Sequence, residues 1–67
     1  MKDYRLMKTY RIRLHYKSGY FLCLESSSIK DAINKVIRIN KESGLDAFCI
    51  YEKHNITNII LQKGYEL

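Results

Sequence analysis

Tyr10-Arg11-Ile12-Arg13-Leu14-His15-Tyr16-Lys17 alternates apolar and basic residues without a break. Tyr10, Ile12, Leu14 and Tyr16 fall on one side, and Arg11, Arg13, His15 and Lys17 on the other. A period of two over such a run describes a strand with one buried face and one wet, cationic face. Lys17-Ser18-Gly19 follows as a three-residue hairpin loop, with Gly19 supplying the positive φ of a G1 bulge. That loop pairs Tyr16 with Tyr20. It predicts Tyr20, Leu22 and Leu24 on the inner face, with Phe21 and Cys23 outward beside Arg13 and His15. A two-residue Ser18-Gly19 turn would flip the second strand and bury Phe21 and Cys23 instead. The longer loop is preferred, because it buries three large residues and exposes only Phe21.

Ser26, Ser27 and Ser28 end the second strand and offer helix N-caps. Ser28 and Asp31 have capping-box spacing. Ile29, Ala32, Ile33, Val36, Ile37 and Asn40 then recur at intervals of three and four, which makes them the core stripe of a helix. Asp31 and Lys35 are spaced as a surface ion pair. Gly44 stops the helix at C′. Ile39 lies off the stripe, at the helix edge or on a contact surface. Two strands follow, roughly Asp46 to Lys53 and Ile56 to Gln62, joined at His54-Asn55. The third sets Phe48 and Ile50 against Ala47, Cys49 and Tyr51. The fourth is apolar on both faces at Ile59-Ile60-Leu61, so either Ile60 or Leu61 should reach the outer face. The reading is one α+β domain over residues 1–67, a ββαββ fold with a four-stranded antiparallel sheet and one helix on one face. Residues 1–7 form an N-terminal arm and 63–67 a tail whose Tyr65 can fold back.

A chain of 67 residues buries only about 60% of the surface it exposes when unfolded, so a staple, a metal or a second subunit is the usual supplement. A disulfide is not expected. Cys23 and Cys49 are isolated in strand-like runs, nothing near Met1 resembles a signal peptide, and a reducing cytoplasm follows. Asn55-Ile56-Thr57 matches the glycosylation sequon, which is idle without secretion. No stretch approaches the length of a membrane span.

The net charge is +5, and it is unevenly spread. Tyr4 to Leu24 holds no acid, while every acid except Asp3 lies from Glu25 onward. Such asymmetry suits a polyanion or an acidic protein surface. Lys, Ile, Asn and Tyr abound and proline and tryptophan are absent, a bias that accompanies AT-rich codons and so a low-GC bacterium or its phages.

His15, Cys23, Cys49 and His54 include no closely spaced ligand pair and lie on four elements, so neither zinc nor a cofactor is expected. Neither cysteine adjoins a glycine-rich turn or a helix N-terminus, and a sheet surface lacks the concavity catalysis needs. The expectation is a non-enzyme. The uncovered sheet face spans on the order of 400 Å² in projection, half of the roughly 800 Å² each partner contributes to a standard interface. It would serve a modest homodimer or the centre of a larger contact, and a homodimer is the expectation. Arg11, Arg13, His15, Phe21 and Tyr51 are the residues expected to touch a partner or a second subunit. Cations beside aromatics also suit single-stranded nucleic acid, although the RNA-recognition signature and strand order are missing. A third possibility makes the outer helix face, with Lys35, Arg38 and Lys41, the working surface.

Tyr10-x-Ile12-x-Leu14, Gly19, the Ser-rich helix start and Lys30-Asp31-Ala32-Ile33 together resemble small ββαββ proteins of phages and mobile elements. These include inhibitors of host defence such as anti-CRISPR proteins. The resemblance implies a cytoplasmic protein that sterically occludes a host protein or nucleoprotein complex, and it assigns no site residue.

Overall fold

In the computed structural model, which describes residues 8–65, the alternating run becomes strand β1, Tyr10–Tyr16. Ile12 and Leu14 are wholly buried and Tyr10 nearly so, while Arg13 on the opposite face is exposed. Strand β2 is Phe21–Ser26, helix α1 Ile29–Ser43, strand β3 Leu45–Glu52 and strand β4 Asn55–Lys63. The four strands form one antiparallel sheet in the order β2-β1-β3-β4. The fold is therefore α+β, ββαββ, with α1 on one face. The N-terminal arm expected over 1–7 lies outside the described residues, as do residues 66 and 67 of the tail.

The hairpin closes as its glycine requires. Gly19 N–H donates to Tyr16 O and Tyr16 N–H to Tyr20 O, both at 2.9 Å. Gly19 holds φ at +96°. His15 consequently faces Phe21 and Arg13 faces Cys23 across the β1–β2 pair. Leu22 and Leu24 pack on the core from the other side. Tyr20 is a correction. It precedes the first residue of β2 at the loop end of the hairpin and is 61% exposed, with its ring 5.6 Å from that of Tyr16.

Helix α1 is also rotated relative to expectation. Ala32 and Val36 are buried, and Ile33 and Ile39 pack beside them, while Ile37 is 59% exposed. At roughly 100° per residue, Ile39 stands about 60° round from Val36 and Ile37 about 100°. Centring the stripe on Val36 thus takes in Ile39 and leaves Ile37 outside. Ser28 caps the helix, its Oγ accepting from Asp31 N–H at 3.0 Å. The reciprocal half of the capping box is replaced. The Asp31 carboxylate accepts from Ser26 Oγ at 2.7 Å, and Ser28 N–H donates to that same Oγ at 3.3 Å. At the far end Gly44 N–H donates to Asn40 O, and Asn40 Oδ1 accepts from Leu45 N–H, each at 2.9 Å.

Strand β3 puts Ile50 in the core and Ala47, Cys49 and Tyr51 opposite His15, Arg13 and Arg11 on the other face. Register shifts on both sides of Tyr51 decide the ambiguity in β4. Ile59 becomes the partner of Tyr51 on the face away from α1, while Ile60 packs on the core. Neither Ile60 nor Leu61 supplies the outer-face residue expected there, because the bulge moves the alternation by one position.

Candidate interaction face

Three cross-strand rungs build the face opposite the helix. Phe21, His15 and Ala47 form the first, Cys23, Arg13 and Cys49 the second, and Glu25, Arg11 and Tyr51 the third. Arg11, Arg13, His15 and Phe21 are therefore gathered as the alternation requires, and Tyr51 lies on the same face. Their availability differs. Phe21 is 46% exposed on the edge strand, whereas Tyr51 is only 6% exposed. Tyr51 is thus a floor residue rather than an exposed contact.

Arg13 and Ile59 crowd the Tyr51 ring, and the tail brings Tyr65 to the same cleft. Gly64 adopts φ +78°, and a Cβ there would fall 2.8 Å from Asp46 O and 2.9 Å from Ala47 Cβ. Only glycine lets the chain pass this close to β3 and turn Tyr65 onto the sheet. The Tyr65 ring then meets His15 edge-on at 5.2 Å, and His15 tilts against Phe21 at 4.7 Å on its other side. The face expected to be uncovered is partly covered by its own chain. The Arg13 guanidinium lies 6.0 Å from the ring centroids of both Phe21 and Tyr51, a cation–π bracket.

The electrostatics are more balanced than the run of cations suggests. Glu25 Oε2 accepts from Arg11 Nη2 at 3.0 Å and pairs with Lys53 Nζ at 3.3 Å. Arg11, and after it Lys53, hold the Glu25 carboxyl below its ordinary range, while Glu25 raises the Arg11 guanidinium. None of the ion pairs among the described residues involves Arg13. Glu25 was missed as part of the face. Its place was implicit in the three-residue loop, which sets it opposite Arg11.

Cys23 and Cys49 flank Arg13 from either side, two strand spacings or ~10 Å apart, beyond the reach of a disulfide. Both are free. Burial pushes the Cys49 thiol up, so it stays protonated near neutrality. His54 sits exposed in the β3–β4 turn, away from His15, and among the described residues no group of three or more His, Cys, Asp or Glu is placed to hold a metal. Beside Arg13, a cleft of about 160 Å³ opens between Cys49, Tyr51, Ile56, Ile59 and Tyr65. Among the described residues no helix is long and apolar enough to cross a membrane. No family model matches this chain, and no curated protein or solved structure matches it either.

Proposed function

We propose that this protein is a non-catalytic binding module that docks a protein partner on the β1–β2 side of the open face and acts by steric occlusion. The observation that carries the reading is the exposed Phe21 ring on an edge strand, with Arg13 and His15 packed around it. An aromatic anchor held by pre-positioned neighbours costs little ordering on binding, and arginine and aromatics dominate interface energetics. The partner class, a host protein or nucleoprotein complex, comes from the resemblance to phage and mobile-element inhibitors, and the low-GC bacterial host from the residue composition.

The test uses tagged protein in a host extract, with affinity then measured against whatever wild type captures. Phe21→Asp and Arg13→Glu should each weaken that affinity at least tenfold while leaving the circular dichroism unchanged. Affinity unchanged in both variants would overturn the docking site.

Nucleic acid is the second reading, favoured by Arg11, Arg13 and Lys53 standing on one side of the sheet beside Phe21. Two features count against it. Glu25 already engages two of those three cations, and Tyr51 is buried instead of offering a stacking surface. Titration with single-stranded and duplex oligonucleotides at two salt concentrations separates the readings. Phosphate binding would fall steeply with salt, while protein docking through Phe21 would change little.

A further inference from the structure

We infer that the cleft beside Arg13 is a binding site for a monocarboxylate carried on a small apolar body. Three independent features point to it. The cleft of about 160 Å³ has Cys49 and Tyr51 as its floor, Ile56 and Ile59 as a wall and Tyr65 over it. That is close to the size of an apolar cavity of about 150 Å³ that takes a benzene ring. The guanidinium of Arg13 lines the same cleft, fixed by its bracket between Phe21 and Tyr51, and no ion pair among the described residues engages it. The Tyr65 hydroxyl is buried, and among the described residues it meets no hydrogen-bond partner.

A buried hydroxyl left unpaired is unfavourable and rare in folded proteins. An acceptor that enters as the Tyr65 side chain shifts to admit it, and so meets both Tyr65 Oη and Arg13, would remove that cost and gain a charge-assisted bond as well. Burial raises the Tyr65 phenol, so it remains a proton donor through neutral pH. One cation and one neutral donor suit a single negative charge. Phosphate and sulfate are excluded by the walls, since isoleucines and ring faces cannot replace the hydration of a dianion. The apolar walls instead hold a ring or a chain of four or five carbons.

Such a carboxylate can come from a free acid or from a peptide. The peptide case rests on the docking reading, where the cleft would anchor an acidic side chain or chain end of the partner. The full-length protein, labelled with ¹⁵N, is titrated with benzoate and with benzyl alcohol as the neutral match. Benzoate should shift the amides of Cys49, Ile59 and Tyr65 saturably, with a dissociation constant on the order of 1 mM for so small a ligand. Benzyl alcohol should bind at least tenfold more weakly. Arg13→Gln should weaken benzoate about tenfold and Tyr65→Phe, which keeps the ring and the fold, several-fold.

N-acetylphenylalanine and acetyl-glutamate amide then compare a chain end with a side chain. Either tighter than benzoate assigns the peptide source, and benzoate tightest assigns a free acid, each in support of the site. Absence of saturation, equal binding of the alcohol, or unchanged affinity in both variants would overturn it. Benzoate is tested on the isolated protein, so failure of partner docking leaves this result standing. Failure of benzoate to bind likewise leaves docking through Phe21 standing.

Discussion

Glu25 and Asp31 lie at either end of the short link between β2 and α1, and each carboxylate is held by a different kind of partner. Asp31 accepts foremost from Ser26 Oγ and then pairs with Lys35 at 3.1 Å, while Glu25 is held foremost by Arg11 and then by Lys53. Both are depressed in the folded state from ordinary values of 3.8 and 4.5. A depressed carboxylate contributes stability above its unfolded value and loses it as pH falls through the folded one. The thermal midpoint should therefore drop as pH is lowered from 5 toward 3. Glu25→Gln and Asp31→Asn should each flatten that drop. Added salt should weaken the Glu25 share, which is an exposed ion pair, more than the Asp31 share, whose main support is a neutral hydroxyl. Wild-type slopes in both variants would refute the assignment. The Ser26 relay was not legible in the sequence. Capping-box spacing names Ser28 and Asp31, but which serine reaches the carboxylate depends on how β2 enters the helix.

At the level of elements, the hairpin was readable and the helix orientation only partly so. Of the two turns open to Ser18-Gly19, burial of the larger residues selects the three-residue loop, that loop sets the register, and the register sends every second side chain to a stated face. Helix α1 has more apolar residues than its footprint on the sheet can cover. Ile29, Ile33, Ile37 and Ile39 compete, and only contact with β1 and β3 decides the rotation. The observed rotation makes a sharp prediction. Ile39→Ala should destabilise the protein by about 1–3 kcal/mol in urea unfolding, since it removes a partly buried side chain from the core. Ile37→Ala should stay within about 0.5 kcal/mol of wild type, because the side chain is mostly in water and alanine is the better helix former. The reverse order would mean that Ile37 faces the sheet. In β4 three consecutive apolar residues carry no alternation to read, and the bulge at Tyr51 supplies the answer from outside the strand.

For the whole molecule, the open face is shaped by the contact of the tail's Tyr65 with His15 of β1. Arg11, Arg13, His15 and Phe21 were placed by alternation alone. The burial of Tyr51 was not, because its surroundings depend on the bulge that sets Ile59 beside it and on Gly64 turning Tyr65 to the same cleft, and neither a bulge nor a tail has a periodicity to announce it. With Tyr65 seated on His15, less remains free of a face whose projection is on the order of 400 Å², well short of the roughly 800 Å² a standard interface takes from each partner. Self-association through this face should accordingly be weaker than the homodimer expected of an uncovered sheet. Light scattering of the wild-type protein should give a monomer mass at micromolar concentration, rising only at much higher concentration. Tyr65→Ala removes the cover, so Cys49 and Tyr51 meet solvent and the apolar area available to a second copy grows. The variant should associate at lower concentration than wild type. In a Cys23→Ser background its Cys49 should also react faster with a thiol reagent when dilute, and slower as the protein associates. A Tyr65→Ala protein that stays monomeric with Cys49 newly reactive would confine the face to heterologous partners. Unchanged Cys49 reactivity would instead mean that Tyr65 is not what shields the face.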